Sequence, residues 1–218
     1  MLKSSSMIET IKAEAVYTCP WTGQKTLDAS VIMAVREVPR DQFVPPGIER
    51  FAYENRPLSI GCGQTISQPF IVALMTDLLQ PQPHDVILEV GTGSGYQAAI
   101  LSQLVKQVYS IERIGELASE ATERLQRLGY HNVEVKEGDG SLGWAEHAPF
   151  DGIIVTAAAP AIPPALIDQL KPGARLVIPL GQPHLSQSLM LIEKNEKGAI
   201  DTTDLLAVSF VPLVGGDE

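Results

Sequence analysis

A chain of 218 residues, 44% hydrophobic and 19% charged, is long enough to bury a substantial core and is neither disordered nor fibrous in composition. A formal charge of −10 with no run of Lys or Arg argues against a nucleic-acid partner, which a basic surface would hold by displacing counterions from phosphates. No apolar run approaches the roughly 18 residues of a membrane span, and MLKSSSMIETIKAEAVY lacks the apolar core and cleavage pattern of a signal peptide, so no membrane association and a cytoplasmic location are expected. Cys19 and Cys62 lie far apart without metal-ligand spacing and read as free reduced thiols.

Residues 1–58 read as irregular and partly helical, a cap region too small for a core of its own. Within it LDASVIMAVREV has helical spacing, with Asp28 or Ser30 as candidate cap, before Pro39, Pro45, Pro46 and Pro57 break the pattern. Residues 59–218 read as the core unit. Ile71, Val72, Leu74, Met75, Leu78 and Leu79 fall at helical intervals, and Pro81 and Pro83 end that helix. Strand-like runs then alternate with helical ones. DVILEV (85–90) precedes a helix over about 94–104, and QVYSIE (107–112) precedes one near 115–128. NVEVKEG (132–138) follows, then DGIIVTAA (151–158) before PPALIDQL, and ARLVIPL (174–180). The alternation predicts an α/β fold, a doubly wound, mostly parallel Rossmann-like sheet with helices on both faces and an N-terminal helical cap. SLMLIEKNE and DLLAVSFVPL have no helix between them and predict an antiparallel C-terminal strand pair at the sheet edge.

LEVGTGSGYQ ends a strand and opens a helix, which places backbone N–H groups and a helix N-terminus at the carboxyl edge of the sheet. The dinucleotide fingerprint G-x-G-x-x-G would need glycine where Tyr96 stands; the sequence instead has Gly91, Gly93 and Gly95. Glu89, just before the loop, would repel a pyrophosphate and attract a cationic amino group. That favours S-adenosylmethionine, which carries an α-amino group and a sulfonium but no phosphate. Glu112, ending the second strand, suits the two ribose hydroxyls. Asp139 in EGDG suits the adenine amino group, with Gly140 letting the backbone approach the ring.

PLSIGCGQTISQP, ILEVGTGSGYQAAIL, VYSIER, GDG, APFDGIIVTAAAPAIPPALIDQLKPGARLVIPLG and FVPL together closely resemble the protein-L-isoaspartate O-methyltransferases, from about Val38 to Leu213. GQTISQP and VTAAAP are the motifs specific to that family; the glycine loop is generic to class I methyltransferases. The resemblance implies methyl transfer from S-adenosylmethionine to the free α-carboxylate of L-isoaspartyl residues in damaged proteins and peptides, leaving S-adenosylhomocysteine. The ester would then collapse to succinimide, part of which reopens as aspartate. It implies Ser67 as the catalytic residue, with Gln64, Thr65, Ile66 and Ser67 against the cofactor. Glu89, Gly91, Thr92, Gly93, Gly95, Glu112, Asp139 and Gly140 would hold that cofactor. Thr156, Ala157, Ala158 and Pro160 would meet the peptide backbone beside Ser67. The family also reorders the last two strands relative to other class I methyltransferases. This chain departs from the pattern at Ser59, at Cys62, in the stretch GQPHLSQSL (181–189) and over the first 25 or so residues.

A carboxylate nucleophile with an unperturbed pKa of about 3.3–3.7 is already ionised at neutral pH and needs no general base. His84, His131, His147 and His184 are accordingly scattered, and no metal is implied. The residues alone leave Ser67 with two roles: holding the acceptor carboxylate, or capping the helix whose first turn contains Pro69. Other readings are a class I methyltransferase for another carboxylate or small-molecule acid, and a cofactor-binding module without transfer. NAD chemistry is disfavoured by Tyr96 and Glu89. No sequence feature specifies an oligomeric state.

Overall fold

The computed structural model describes residues 2–182 and 185–215. Residues 2–22 are not irregular: α1 runs unbroken from Leu2 to Thr22. Met7, Ile8, Ile11 and Ala15 form its buried stripe. Exposed Val16, Tyr17 and Trp21 scatter apolar residues around the rest of the helix and erase the periodic signal. Gly23, at φ 70°, ends it. The next helix, α2 (Ala29–Glu37), is capped by Asp28, whose side chain accepts from Ser30 N at 2.7 Å. Of the two expected caps, Asp28 is the one used. Two 3-10 turns follow, Arg40–Phe43 and Glu49–Phe51.

The stretch before the third helix is a small antiparallel hairpin, β1 (Leu58–Gly61) and β2 (Gln64–Ile66), turning at Cys62. Helix α3 spans Pro69–Leu79 and stops at Gln80, which adopts the left-handed conformation at φ 53° before the prolines are reached. The alternating part then follows as β3 (Val86–Val90), α4 (Tyr96–Ser102), β4 (Gln107–Glu112), α5 (Gly115–Arg127), β5 (Val133–Glu137), β6 (Phe150–Val155), α6 (Pro164–Asp168) and β7 (Leu170–Gly181). The chain ends in β8 (Gln187–Lys194) and β9 (Ile200–Val208). Helix α4 starts two residues later than expected because Gly95 takes a left-handed conformation as its cap. The last strand begins at Ile200 and ends at Val208, so Phe210–Leu213 leaves the sheet.

The seven strands lie in the order β5-β4-β3-β6-β7-β8-β9. The pairs from β5 to β7 are parallel; β7–β8 and β8–β9 are antiparallel and follow chain order. Consecutive strand residues feed opposite faces, as a sheet covered on both sides requires. Ile87, Ile154 and Val177 join the cluster that also holds Met7, Ile11, Val35 and Leu74. Leu88, Ile153, Leu176 and Ile178 join the other cluster with Trp144 and Leu166. The N-terminal helices thus share the core of one sheet face. After β3 the chain builds outward on one side through β4 and β5, then returns to the other side of β3 as β6. The crevice at the carboxyl ends of β3, β4 and β6 is where open α/β sheets take ligands. Among the described residues no helix is long and apolar enough to cross a membrane.

Candidate active site

Gly91 opens the loop at φ 96° and donates its N–H to Ile111 O at 2.8 Å. A side chain there would be strained by the backbone and would also run into the Thr156 hydroxyl. Gly93 N donates to Glu112 Oε2 at 2.8 Å, and Ile114 N donates to Glu112 Oε1 at 2.9 Å. The Glu112 carboxylate is therefore oriented by one backbone N–H on each oxygen, with a further lone pair on each left for a ligand's hydroxyls. Gly140 packs so closely on Val90 that a Cβ would strike its side chain. Around these residues opens a pocket of about 770 Å³, solvent included.

Of the expected cofactor residues, Gln64, Thr65, Ile66, Ser67, Gly91, Thr92, Gly93, Glu112 and Gly140 line this pocket. Gly95 lies behind it against Leu125, capping α4. Asp139 is also outside the wall: its Oδ1 accepts from Ser141 N at 2.9 Å and Ser141 Oγ at 2.7 Å, which caps the following turn. Glu89 is fully buried beneath the loop and does not reach the pocket. Ser110 Oγ donates to Glu89 Oε2 and is itself 2.6 Å from Thr92 Oγ1, which does line the pocket. Any pull that Glu89 exerts on a ligand is relayed through this hydroxyl pair. Among the described residues Glu89 Oε1 has no hydrogen-bond partner. Burial pushes the carboxyl up to about 8, against the opposing bond from Ser110; the nearby Glu112 charge adds to the rise, and the Ala98 amide is a smaller counterweight.

On the opposite wall the hairpin brings Ile60 to 3.3 Å from where a Cβ on Gly93 would stand. Ser67 follows the hairpin and is not the helix cap. Gln68 holds that position without a side-chain bond, and the Phe70 N–H donates to Asn55 Oδ1 at 3.0 Å. Asn55 thus serves the first-turn donor that Ser67 was a candidate to satisfy. Among the described residues the Ser67 hydroxyl makes no hydrogen bond, while its carbonyl accepts from Arg40 Nη2 at 2.7 Å. Arg40 is fully buried, donates through Nε to Ala52 O at 2.7 Å, and sits 4.8 Å over the Tyr96 ring. Burial lowers its guanidinium pKa, with Tyr96 working the other way, and the Tyr96 hydroxyl is pushed up to about 12 by its own burial.

The VTAAAP edge is where the structure departs most from expectation. Ala158 N donates to Val211 O and Leu213 N donates to Ala158 O, both at 2.8 Å. The backbone edge expected to meet a peptide is taken here by the chain's own C-terminal segment, which satisfies its hydrogen bonds. Pro160 is exposed and lines neither pocket, and Ala158 is buried. Thr156 and Ala157 do reach the first pocket, and Thr156 Oγ1 is committed to Gly91 O at 2.5 Å. Val211, Pro212, Leu213 and Val214 complete the pocket's outer wall.

A second pocket, about 1100 Å³ with solvent, lies on the far side of Ser67 and shares Thr65, Ser67, Thr156 and Val211 with the first. His84 and His131 are exposed, and His147 stacks on Tyr109 at 3.8 Å between ring centres, away from both pockets. His184 lies outside the described residues. Sequence reasoning missed Arg40, Asn55, Ser110 and the C-terminal segment as parts of the site. Only FVPL, quoted for the resemblance, signalled the last.

The family model described as protein-L-isoaspartate(D-aspartate) O-methyltransferase matches residues 21–218. A protein-L-isoaspartate O-methyltransferase 2 from Nitrosococcus oceani is 59% identical over 100% of this chain and 99% of its own. Another from Syntrophobacter fumaroxidans is 58% identical over 97% of this chain and 86% of its own. A solved protein-L-isoaspartate O-methyltransferase superposes with a TM-score of 0.84 at 26% identity, covering 98% of this chain and 66% of that one. A Plasmodium falciparum structure described as the same kind of enzyme, in complex with S-adenosyl-L-homocysteine, superposes with a TM-score of 0.78 at 25% identity, covering 97% and 98% of the two chains. With a family match over nearly the whole chain and relatives this similar at full length, the chain belongs to the protein-L-isoaspartate O-methyltransferase family.

Proposed function

We propose that the site transfers a methyl group from S-adenosylmethionine to the free α-carboxylate of L-isoaspartyl residues in damaged proteins and peptides. The single observation that carries this reading is the Ser67 hydroxyl, uncommitted among the described residues, on the wall shared by the two pockets. The first pocket suits the methyl donor. Glu112 offers oriented carboxylate oxygens for the ribose hydroxyls, and Gly140 offers a smooth backbone approach for the adenine beside Asp139. The Thr92 hydroxyl, linked through Ser110 to the buried Glu89, offers an acceptor to a ligand carrying an ammonium group. When bound, S-adenosylmethionine supplies an electrophilic methyl group on a sulfonium.

The second pocket suits the acceptor. Ser67 donates its hydroxyl proton in a hydrogen bond to one carboxylate oxygen and leaves the other free to attack. The carboxylate arrives ionised, so no residue has to remove a proton. Arg40 holds the Ser67 main chain in place through its carbonyl. Positioning, with an anion and a cation neutralising each other in a dry site, carries the rate.

The test is labelled methyl transfer to matched peptides containing isoaspartate or aspartate. Base-labile ester on the isoaspartyl peptide alone is expected; equal labelling of the pair, or none, sinks the reading. Ser67→Ala is expected to lower kcat by about 10- to 100-fold, the worth of a hydrogen bond to a charged group, with cofactor affinity retained.

A further inference from the structure

The second pocket has one wall that belongs to neither the hairpin nor the sheet edge. Helix α1 contributes Glu14 and Thr18 to it, facing Ser67, Ile71, Thr156 and Phe210. Among the described residues Glu14 is the only charged one lining this pocket. The Thr18 hydroxyl is turned inward to Glu14 O at 2.9 Å, which leaves the Glu14 carboxylate as the polar feature of that wall. Among the described residues that carboxylate has no ion-pair partner; the neighbouring Lys12 is paired with Glu9 at 2.9 Å.

Glu14, Tyr17, Thr18 and Trp21 occur at the i, i+3, i+4, i+7 spacing that puts residues on one helix face. Tyr17 and Trp21 are 71% and 56% exposed, with ring centres 6.0 Å apart. A carboxylate with exposed aromatic faces alongside is the chemistry that receives a lysine or arginine side chain, through Coulomb attraction and cation–π contact. The family match begins at residue 21, so Glu14 and Thr18 are contributions of a segment outside the matched region.

Taking this pocket as the acceptor side, as proposed above, we infer that the Glu14 face of α1 is a specificity subsite. It binds a basic residue flanking the isoaspartate in the substrate polypeptide and disfavours an acidic one. The continuity of the groove from Ser67 and Thr156 to Glu14 supplies the path, and the lone negative charge supplies the sign. The contact is remote from the reacting atoms, so it acts on peptide affinity and not on the methyl-transfer step.

The experiment uses the full chain, S-adenosylmethionine and isoaspartyl peptides identical except for Lys, Ala or Glu, placed in turn on each side of the isoaspartate. At one of the two positions the unaltered chain is expected to favour Lys over Glu by about fivefold in kcat/KM, through KM, as a partly exposed ion pair provides. Glu14→Gln should level the three peptides, and Glu14→Lys should reverse their order. Cofactor affinity should stay unchanged in both variants. The same ranking in the unaltered chain and in Glu14→Lys overturns the subsite while leaving the functional reading intact. No methylation of the Ala peptide by the unaltered chain overturns the functional reading, and the subsite with it.

Discussion

Along the sheet edge, the cofactor wall draws on residues 90–94, 96–97, 111–114 and 140, each within a few residues of a strand end, with Gly93 and Ile114 tied to Glu112. The acceptor wall takes Glu14, Ser67 and Phe210 from segments scattered over almost the whole chain, with Arg40 and Asn55 holding the Ser67 segment from behind. The first wall follows from a motif; once the strands pair, Glu112 and the loop amides fall into register. The second exists only when a helix, a hairpin, a buried arginine and a C-terminal crossover have all docked. The two halves should therefore break differently. Damage to the cofactor wall should act where it is made, whereas the acceptor wall should be open to damage from residues that touch no ligand.

Gly91→Val should have the largest effect. A residue at φ 96° is strained and this one would also strike Thr156. With strain of about 1–3 kcal/mol before the clash is counted, S-adenosylmethionine affinity should fall on the order of 100-fold. Isothermal titration reads this directly, and an affinity within about twofold of the unaltered chain would show that the loop does not form the wall.

Arg40→Met tests the other half. It leaves the Ala52 and Ser67 carbonyls without their donors, at about 1–3 kcal/mol each. Removing a buried charge with one nitrogen unpartnered among the described residues offsets part of that cost. A net loss of about 2 kcal/mol in urea unfolding is expected, with kcat reduced more than cofactor affinity and partly recovered in Arg40→Lys. Equal losses in both would place Arg40 in a general structural role and blur the contrast.

A last effect is the pH dependence contributed by Glu89. Its carboxyl is raised from 4.5 to about 8 in the fold, so between those values the folded state holds a proton that the unfolded state has released. Stability without ligand should therefore fall as pH rises from about 4.5 to about 8 and level off above. Glu89→Gln should flatten that slope in denaturant midpoints taken at several pH values. An unchanged slope would assign the pH dependence elsewhere.

How much could be read in advance follows the same division. The strand and helix alternation, Gly91, Gly93, Glu112 and Gly140 were legible because a motif at a strand end carries its own geometry. Glu89 and Asp139 were legible as residues but not as contacts. Sequence spacing cannot tell a carboxylate on the pocket wall from one turned under the loop toward Ser110 or capping the next turn. The long α1 was hidden by its exposed Val16, Tyr17 and Trp21, which blur the apolar stripe. Ala158 was expected at the substrate, since nothing local says that Val211 and Leu213 take its hydrogen bonds.

By itself the sequence determined the fold class and the kind of cofactor wall. Those depend on periodicity, glycine conformations and charges that are properties of short segments. Only the tertiary structure decided whether Ser67 is free. Its competing role as a cap is removed by Asn55, 12 residues earlier in the chain, and its main chain is held by Arg40, 27 residues away. A hydroxyl's availability depends on every donor and acceptor that packing brings within about 3 Å, and local spacing does not record which of those arrive.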